Sequence, residues 1–328
     1  MRVLLIGGAG YIGSSIAYHL IDRGHSPAVL DNLSTGSREA LPAGIDFAQA
    51  DCGDASALRE AIAAFKIEAV IQLAAAIRVE ESVADPAKYY FNNTVKSLNV
   101  FDTCAKAGVK DFVFSSTAAV YGAPEKMLIG EDVATVPVNP YGHSKLASEF
   151  MLKDIARVSG MRATILRYFN VAGADPRLRT GLRTENATHL IKVAAEVANG
   201  KRAALDVYGT DYPTPDGTCV RDYIHVMDLA GAHELALTKP GVAGETRVFN
   251  CGYGTGYSVR QVVEAFGQVL NHPLATRDRA RRAGDAPAIA CDSAKLKREL
   301  GWTPQYASIR TIVDTALRWE RKLSAEKK

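Results

Sequence analysis

The chain predicts an α/β fold: a doubly wound parallel sheet with a smaller C-terminal α/β unit. Short β-branched or leucine-rich runs alternate with helical periodicities through the first half, the pattern left by strands whose two faces are both covered by helices. A glycine-rich turn follows the first run directly, and the regular alternation stops after Gly173.

Taken in order, strands are expected at 2–6, 28–31, 45–48, 69–72, 112–115 and 163–167, with helices at 11–23, 55–65, 87–107 and 141–159 between them. A Pro/Gly/Asp-rich stretch at 209–217 then interrupts the pattern, and a helix at 228–237 leads into a further strand at 247–251. The expected division is therefore interleaved: 1–174 with a return near 226–251 forms the larger unit, and 175–225 with 252–328 the smaller. The charged run 318–328 reads as a helix end.

A chain of 328 residues with 47% hydrophobic content can bury a large core. Its 39 basic and 36 acidic residues nearly balance, which leaves no electrostatic footprint for nucleic acid, so an acidic ligand has to be held locally. Five cysteines without a C-x-x-C pair indicate neither a disulfide framework nor a zinc site, and no metal is expected. They fit a reducing cytosol. No apolar run reaches membrane-spanning length, and the apolar start is too short for a signal peptide, so a soluble cytoplasmic protein with no membrane partner is expected.

The segment Gly7-Gly8-Ala9-Gly10-Tyr11-Ile12-Gly13 contains G-x-G-x-x-G between a strand and a helix. Gly7, Gly10 and Gly13 allow the tight turn and close backbone approach to a pyrophosphate, whose charge the helix N-terminus favours. Taken alone, such a turn is an ordinary βα connection. Asp31, about twenty residues on at the end of the second strand, can accept from an adenosine ribose. It selects NAD over NADP, because a 2′-phosphate beside a carboxylate is repelled. At the ends of the next strands, Asp51-Cys52 can meet an adenine amine, and Leu73-Ala74-Ala75 are small enough to let the cofactor pass.

Tyr141 and Lys145 lie four residues apart at the head of one helix and so share a face. A lysine ammonium stabilises a phenolate, and a cationic nicotinamide adds to that effect, which makes Tyr141 a base near neutrality. The fifth strand ends in Ser115-Ser116-Thr117; Ser115 is expected beside the cofactor, and Thr117 is the hydroxyl chosen to anchor a substrate oxygen. Without the glycine motif, these hydroxyls read as backbone caps.

With these motifs, the chain resembles the extended short-chain dehydrogenase/reductases and, within them, the UDP-glucose 4-epimerase family. The segments carrying the resemblance are 7–14, 31–33, 141–145, 166–174 and above all 209–226, and the similarity runs to about residue 320. It implies a Rossmann-type fold and bound NAD, with Tyr141 as base, Lys145 as its partner and a cofactor ligand, and Thr117 as sugar anchor. It implies further cofactor contacts at Tyr11, Ile12, Asp31, Asn32, Asp51, Cys52, Leu73, Ala74, Ala75, Asn92, Tyr168 and Phe169. For a UDP-sugar it implies Asn170, Leu190, Tyr208, Arg221, Arg282 and Asp285. Guanidinium forks at Arg221 and Arg282 suit a pyrophosphate, Tyr208 a uracil face and Asp285 a ribose. A homodimer through helices 87–107 and 141–159 is implied as well.

Ile77 stands where many relatives carry a cofactor-binding lysine, with Arg78 as the replacement on offer, and Thr117 stands for a serine. Ile289 lies where side-chain bulk governs acceptance of N-acetylated sugars. Thr117 is followed by Ala118-Ala119, not by the Thr-Asp-Glu of the 4,6-dehydratases, which argues against dehydration. UDP-N-acetylhexosamine or UDP-pentose epimerisation uses the same C4 chemistry. A non-catalytic NAD-binding module would need neither Tyr141 nor Lys145.

Overall fold

The computed structural model describes residues 1–184, 187–282 and 286–326. Seven parallel strands build the main sheet: β1 (Arg2–Ile6), β2 (Ser26–Asp31), β3 (Asp46–Gln49), β4 (Ala69–Gln72), β5 (Asp111–Thr117), β6 (Arg162–Tyr168) and β7 (Thr246–Cys251). Their spatial order is β7-β6-β5-β4-β1-β2-β3, and every strand lies within two residues of its expected place.

Helices α1 (Tyr11–Asp22) and α5 (Val226–Thr238) cover one face; α2 (Ala55–Ala64), α3 (Lys96–Lys106) and α4 (Pro140–Ser159) cover the other. On the first face Ile16 and Leu20 pack with Leu229, Val3, Leu5 and Phe249. On the second, Leu58, Phe101 and Leu152 pack with Leu4, Ile6, Phe112 and Ile165. Burying each such side chain is worth about 1.5–3 kcal/mol, which is why the central strands β1 and β4 read as apolar runs. The order reverses between β1 and β4, so the crevice for a ligand opens at the carboxyl ends of these strands.

The helix expected over 87–107 is broken. A short turn, Pro86–Tyr89, runs into a π-helical turn, Tyr90–Val95, before α3 begins. The wider turn brings Asn93 inward. Its amide accepts from the Ala76 N–H (2.8 Å), donates to the Ala76 carbonyl (2.9 Å) and donates to Ser144 Oγ (3.1 Å). These bonds offset the strained helix geometry; apolar periodicity carries no trace of them.

Beyond β6 the strands are short. Val220–His225 pairs in parallel with Asn170–Ala172 and Ala288–Cys291, and antiparallel with Gly256–Ser258. Leu128–Ile129 extends this sheet, and Leu205–Tyr208 pairs separately with Thr276–Arg279. Ile191, Ala195, Phe266, Ile312 and Leu317 form a core of their own beside these strands.

Candidate active site

The glycine turn is fixed by its own backbone. Gly7 has φ +82°, and a Cβ there would lie 2.6 Å from the Ala74 nitrogen; at Gly13 it would lie 2.6 Å from the Gly7 carbonyl oxygen. Gly10 differs. A Cβ there would meet only the Gly7 oxygen, at 3.4 Å, with φ an ordinary −75°, so internal packing does not require glycine. An outside group that comes close to the backbone does. Gly10 is also the N-cap of α1 and offers no side-chain hydrogen bond, which leaves the first N–H groups of the helix for an anion. A hollow lined by Ala9, Gly10, Tyr11, Thr35, Ser37 and Arg183 opens over this turn. These features fit a dinucleotide pyrophosphate.

Asp31 sits at the end of β2, but its carboxylate is not held for a ribose alone. Oδ2 accepts from the Ala9 N–H (2.9 Å) and Oδ1 from the Leu33 N–H (2.8 Å). Each oxygen keeps a further lone pair, so one residue shapes the glycine turn and can still take a hydroxyl. Asp51 is likewise engaged, by Lys96 (2.7 Å), Asn32 (3.0 Å) and the Gly53 N–H (2.8 Å). Burial raises its pKa, yet the bonds from Lys96 and Gly53 outweigh that and leave it lowered. The neighbouring Cys52 thiol is pushed up to about 11, chiefly by burial, so it is a packing surface and not a nucleophile. Ala74 forms the wall against Gly7, and the N–H groups of Leu73 and Ala74 both reach the Ile6 carbonyl. Tyr11 reaches across to the Gly173 carbonyl (2.7 Å), and Ile12 packs on the core of that face.

Helix α4 carries Tyr141 and Lys145 in its first two turns. Asn139 caps it by accepting from the Gly142 N–H (2.9 Å), and Pro140 occupies its first turn. The expected mutual effect of Tyr141 and Lys145 is not what dominates. Burial is the largest influence on the Tyr141 phenol and raises its pKa; the Thr117 hydroxyl pulls it back down. Lys145 is 3% exposed and lies over the Phe114 ring at 4.1 Å. Burial lowers its pKa to about 7, and Glu149 opposes that fall. The structure thus brings Tyr141 and Thr117 together at the ends of α4 and β5, with Lys145 one helical turn further along α4.

Around them, Ser115 meets His233 Nε2 (3.2 Å) and interacts with Tyr168. Tyr89, fully buried, stands edge-on to Tyr141 with ring centroids 6.3 Å apart. Asn92 turns its amide to Asn93 (3.3 Å), so Asn93 and not Asn92 bridges the loop after β4 to α4. Phe169 packs with Val120, Tyr121, Ile129 and Cys291, against which Ile289 rests.

On the substrate side, Arg282 lies over the Tyr208 ring at 3.9 Å and reaches Glu80 at 3.9 Å. The two residues expected to grip different parts of a UDP group therefore grip each other. Arg221 donates to the Val220 carbonyl (2.9 Å), and Asn170 to the Asp222 carbonyl (3.4 Å). Asp222 is no surface ion-pair partner of Arg221: its buried carboxylate accepts N–H bonds from Tyr253, Gly254 and Cys291. Leu190 opens the helix Leu190–Ala198. Asp285 lies outside the described residues. Ile77 is 55% exposed, and Arg78 follows it at the N-cap of the next short helix.

Sequence reasoning missed Asn93, Glu149 and His233. Asn93 adjoins a chosen residue, but Glu149 and His233 act through partners 18 to 118 positions away, and no local motif marks them. Among the described residues no cluster suits a metal ion, and no helix is long and apolar enough to cross a membrane.

Fold and site together define a Rossmann-type dinucleotide enzyme with a buried tyrosine and lysine one turn apart on one helix. Residues 3–252 match the NAD dependent epimerase/dehydratase family, and the chain belongs to that family. It is 49% identical to a UDP-glucose 4-epimerase of Azospirillum brasilense over 98% of this chain and 92% of the relative. The crystal structure of UDP-glucose 4-epimerase from Brucella ovis in complex with NAD superposes with a TM-score of 0.92 at 43% identity, covering 97% of this chain and 98% of that one. The UDP-Glc/GlcNAc 4-epimerase of Campylobacter jejuni is 42% identical, with a TM-score of 0.84 over 98% of this chain and 99% of that one.

Proposed function

We propose that the chain is an NAD-dependent UDP-hexose 4-epimerase, an isomerase that interconverts UDP-glucose and UDP-galactose through a 4-keto sugar. The observation that carries this is the Tyr141–Thr117 pair at the mouth of a crevice whose glycine turn fits a pyrophosphate. Residues 1–174 with the return at 226–251 hold the cofactor; residues 175–225 and 252–328 hold the nucleotide sugar. Gly7, Gly10, Gly13, Tyr11, Ile12 and Asp31 take the pyrophosphate and ribose side, with Asn32, Asp51, Cys52, Leu73, Ala74, Ala75, Asn92, Ser115, Tyr168 and Phe169 along the rest. Bound NAD supplies a hydride acceptor and donor at the sugar C4.

The chain's own residues do the remainder. Thr117 orients the C4 oxygen, and Tyr141 takes its proton during oxidation and returns one during reduction. Lys145 stabilises the phenolate in its charged form. Arg221, Arg282, Asn170, Leu190, Tyr208 and Asp285 hold the UDP end, which leaves the keto sugar free to turn and present its other face. The exposed Phe91, Val95, Leu98, Phe150 and Val158 support a homodimer, and five free cysteines support a cytoplasmic location.

Purified protein incubated with UDP-galactose, without added cofactor, is expected to yield UDP-glucose. UDP-N-acetylgalactosamine and UDP-arabinose, run in parallel, show which further UDP-sugars the enzyme accepts. Activity that depends on stoichiometric added NADH contradicts the reading, and light scattering showing a monomer contradicts the dimer.

A further inference from the structure

Behind the catalytic face of α4 lies a buried carboxylate that the reaction as described does not use. Glu149 stands four residues after Lys145 and is 0% exposed. Its Oε1 accepts from Ser116 Oγ (2.5 Å) and Arg167 Nε (2.9 Å), and its Oε2 from Arg167 Nη2 (2.5 Å). Arg167 also donates to Tyr121 Oη (2.9 Å), which donates in turn to Asn250 (2.7 Å). Ser116 directly precedes Thr117 on β5, and Arg167 directly precedes Tyr168 on β6. One carboxylate is thus the shared anchor of three elements, each of which carries a site residue one position or one helical turn away.

Stability is a weak explanation for it, since a buried ion pair is often replaced by apolar groups of similar volume at little or no cost. The surroundings of Lys145 point elsewhere. The described neighbours of Lys145 are the Phe114 ring on β5, 4.1 Å from its Nζ, and, on its own helix one turn either way, Tyr141 and Glu149. Among these described groups Glu149 is the one carboxylate. Burial alone would strip the proton from Lys145, and Glu149 is the group that opposes this.

We propose that Glu149 is a positioning residue for the reaction: it ties α4 to the strand ends that carry Thr117 and Tyr168, and its negative charge holds Lys145 as an ammonium beside Tyr141. This rests on the reading of Tyr141 as the base. Lys145 must be protonated to stabilise the phenolate, so removing the charge at Glu149 moves the loss of activity at alkaline pH to lower pH.

The test is the pH profile of kcat for UDP-galactose conversion by the NAD-loaded enzyme. Glu149→Gln is expected to move the alkaline limb down by about one pH unit while KM stays unchanged, and Glu149→Asp is expected to restore the limb. Because Glu149→Gln leaves Arg167 without its carboxylate in the core, the double variant Glu149→Gln/Arg167→Met is measured beside it, with both charges removed; a shift in the same direction but smaller is expected, since the opposing cation is gone as well. An alkaline limb that stays at the wild-type position in whichever variant folds and carries NAD overturns the proposal. A wild-type enzyme inactive on UDP-galactose sinks the underlying reading instead.

Discussion

The proposed cofactor side and the proposed sugar side of the crevice are built on different principles. On the proposed cofactor side the turn is held by backbone: Gly7 lies against Ala74 after β4, Gly13 against Gly7, and Asp31 accepts from the Ala9 N–H. On the sugar side, Arg282, Tyr208, Arg221 and Asn170 come from separate short strands and loops, and Arg282 is satisfied by Tyr208 and Glu80. Backbone geometry leaves the first region one arrangement. In the second, side chains contact one another and would exchange those contacts for a ligand, which suits the proposed site that holds one end of a substrate while the other end turns.

Changing the catalytic group between the two regions should have the largest effect. Tyr141→Phe is expected to lower kcat about 10²- to 10⁴-fold while the protein keeps its NAD, read by steady-state turnover and by absorbance of the purified holoenzyme; near-normal turnover would remove Tyr141 as base. Next, Arg282→Ala should raise KM for UDP-galactose about ten- to a hundredfold with NAD retained. If cofactor retention falls instead, the separation of the two sides is wrong.

On the cofactor side the sharpest probe is Gly13→Ala, whose added methyl meets backbone at 2.6 Å. It should cost about 1–3 kcal/mol of stability and strip NAD, whereas Gly10→Ala should spare the fold and lose only the cofactor; calorimetry with an absorbance reading distinguishes them. The smallest effect at neutral pH concerns acid stability, with one buried imidazole on each side. Burial lowers the pKa of His225 to about 3 and of His233 to about 4. Both stay neutral when folded but take up protons in the unfolded chain below about 6.5. Stability should therefore be whole above that pH and decline as pH falls from 6.5 toward 4, by on the order of 3 kcal/mol for each. Urea melts along this range test it, and His233→Gln should flatten the decline.

The same contrast governs what the sequence made legible. Most main-sheet strands were readable because they are apolar runs beside a helix of clear period, and the Gly7–Gly13 turn and Asp31 because glycine spacing at a strand end marks a tight turn. The π turn at Tyr90–Val95 was not, since it exists to deliver Asn93 to Ala76 and Ser144, contacts far apart in the chain. Nor was the raised phenol of Tyr141: i, i+4 spacing shows a lysine near a tyrosine but not how deeply both are buried. On the sugar side, Val220–His225 became a central strand through partners at 170–172, 256–258 and 288–291, which no local window contains.

The central claim is that hydride leaves C4 and comes back to C4 within one bound complex. UDP-galactose carrying deuterium at C4, converted without added cofactor, tests this most directly by mass spectrometry of the product. The account predicts UDP-glucose with the deuterium retained at C4; loss of the label to solvent, or no conversion until NAD is supplied at substrate level, would contradict it.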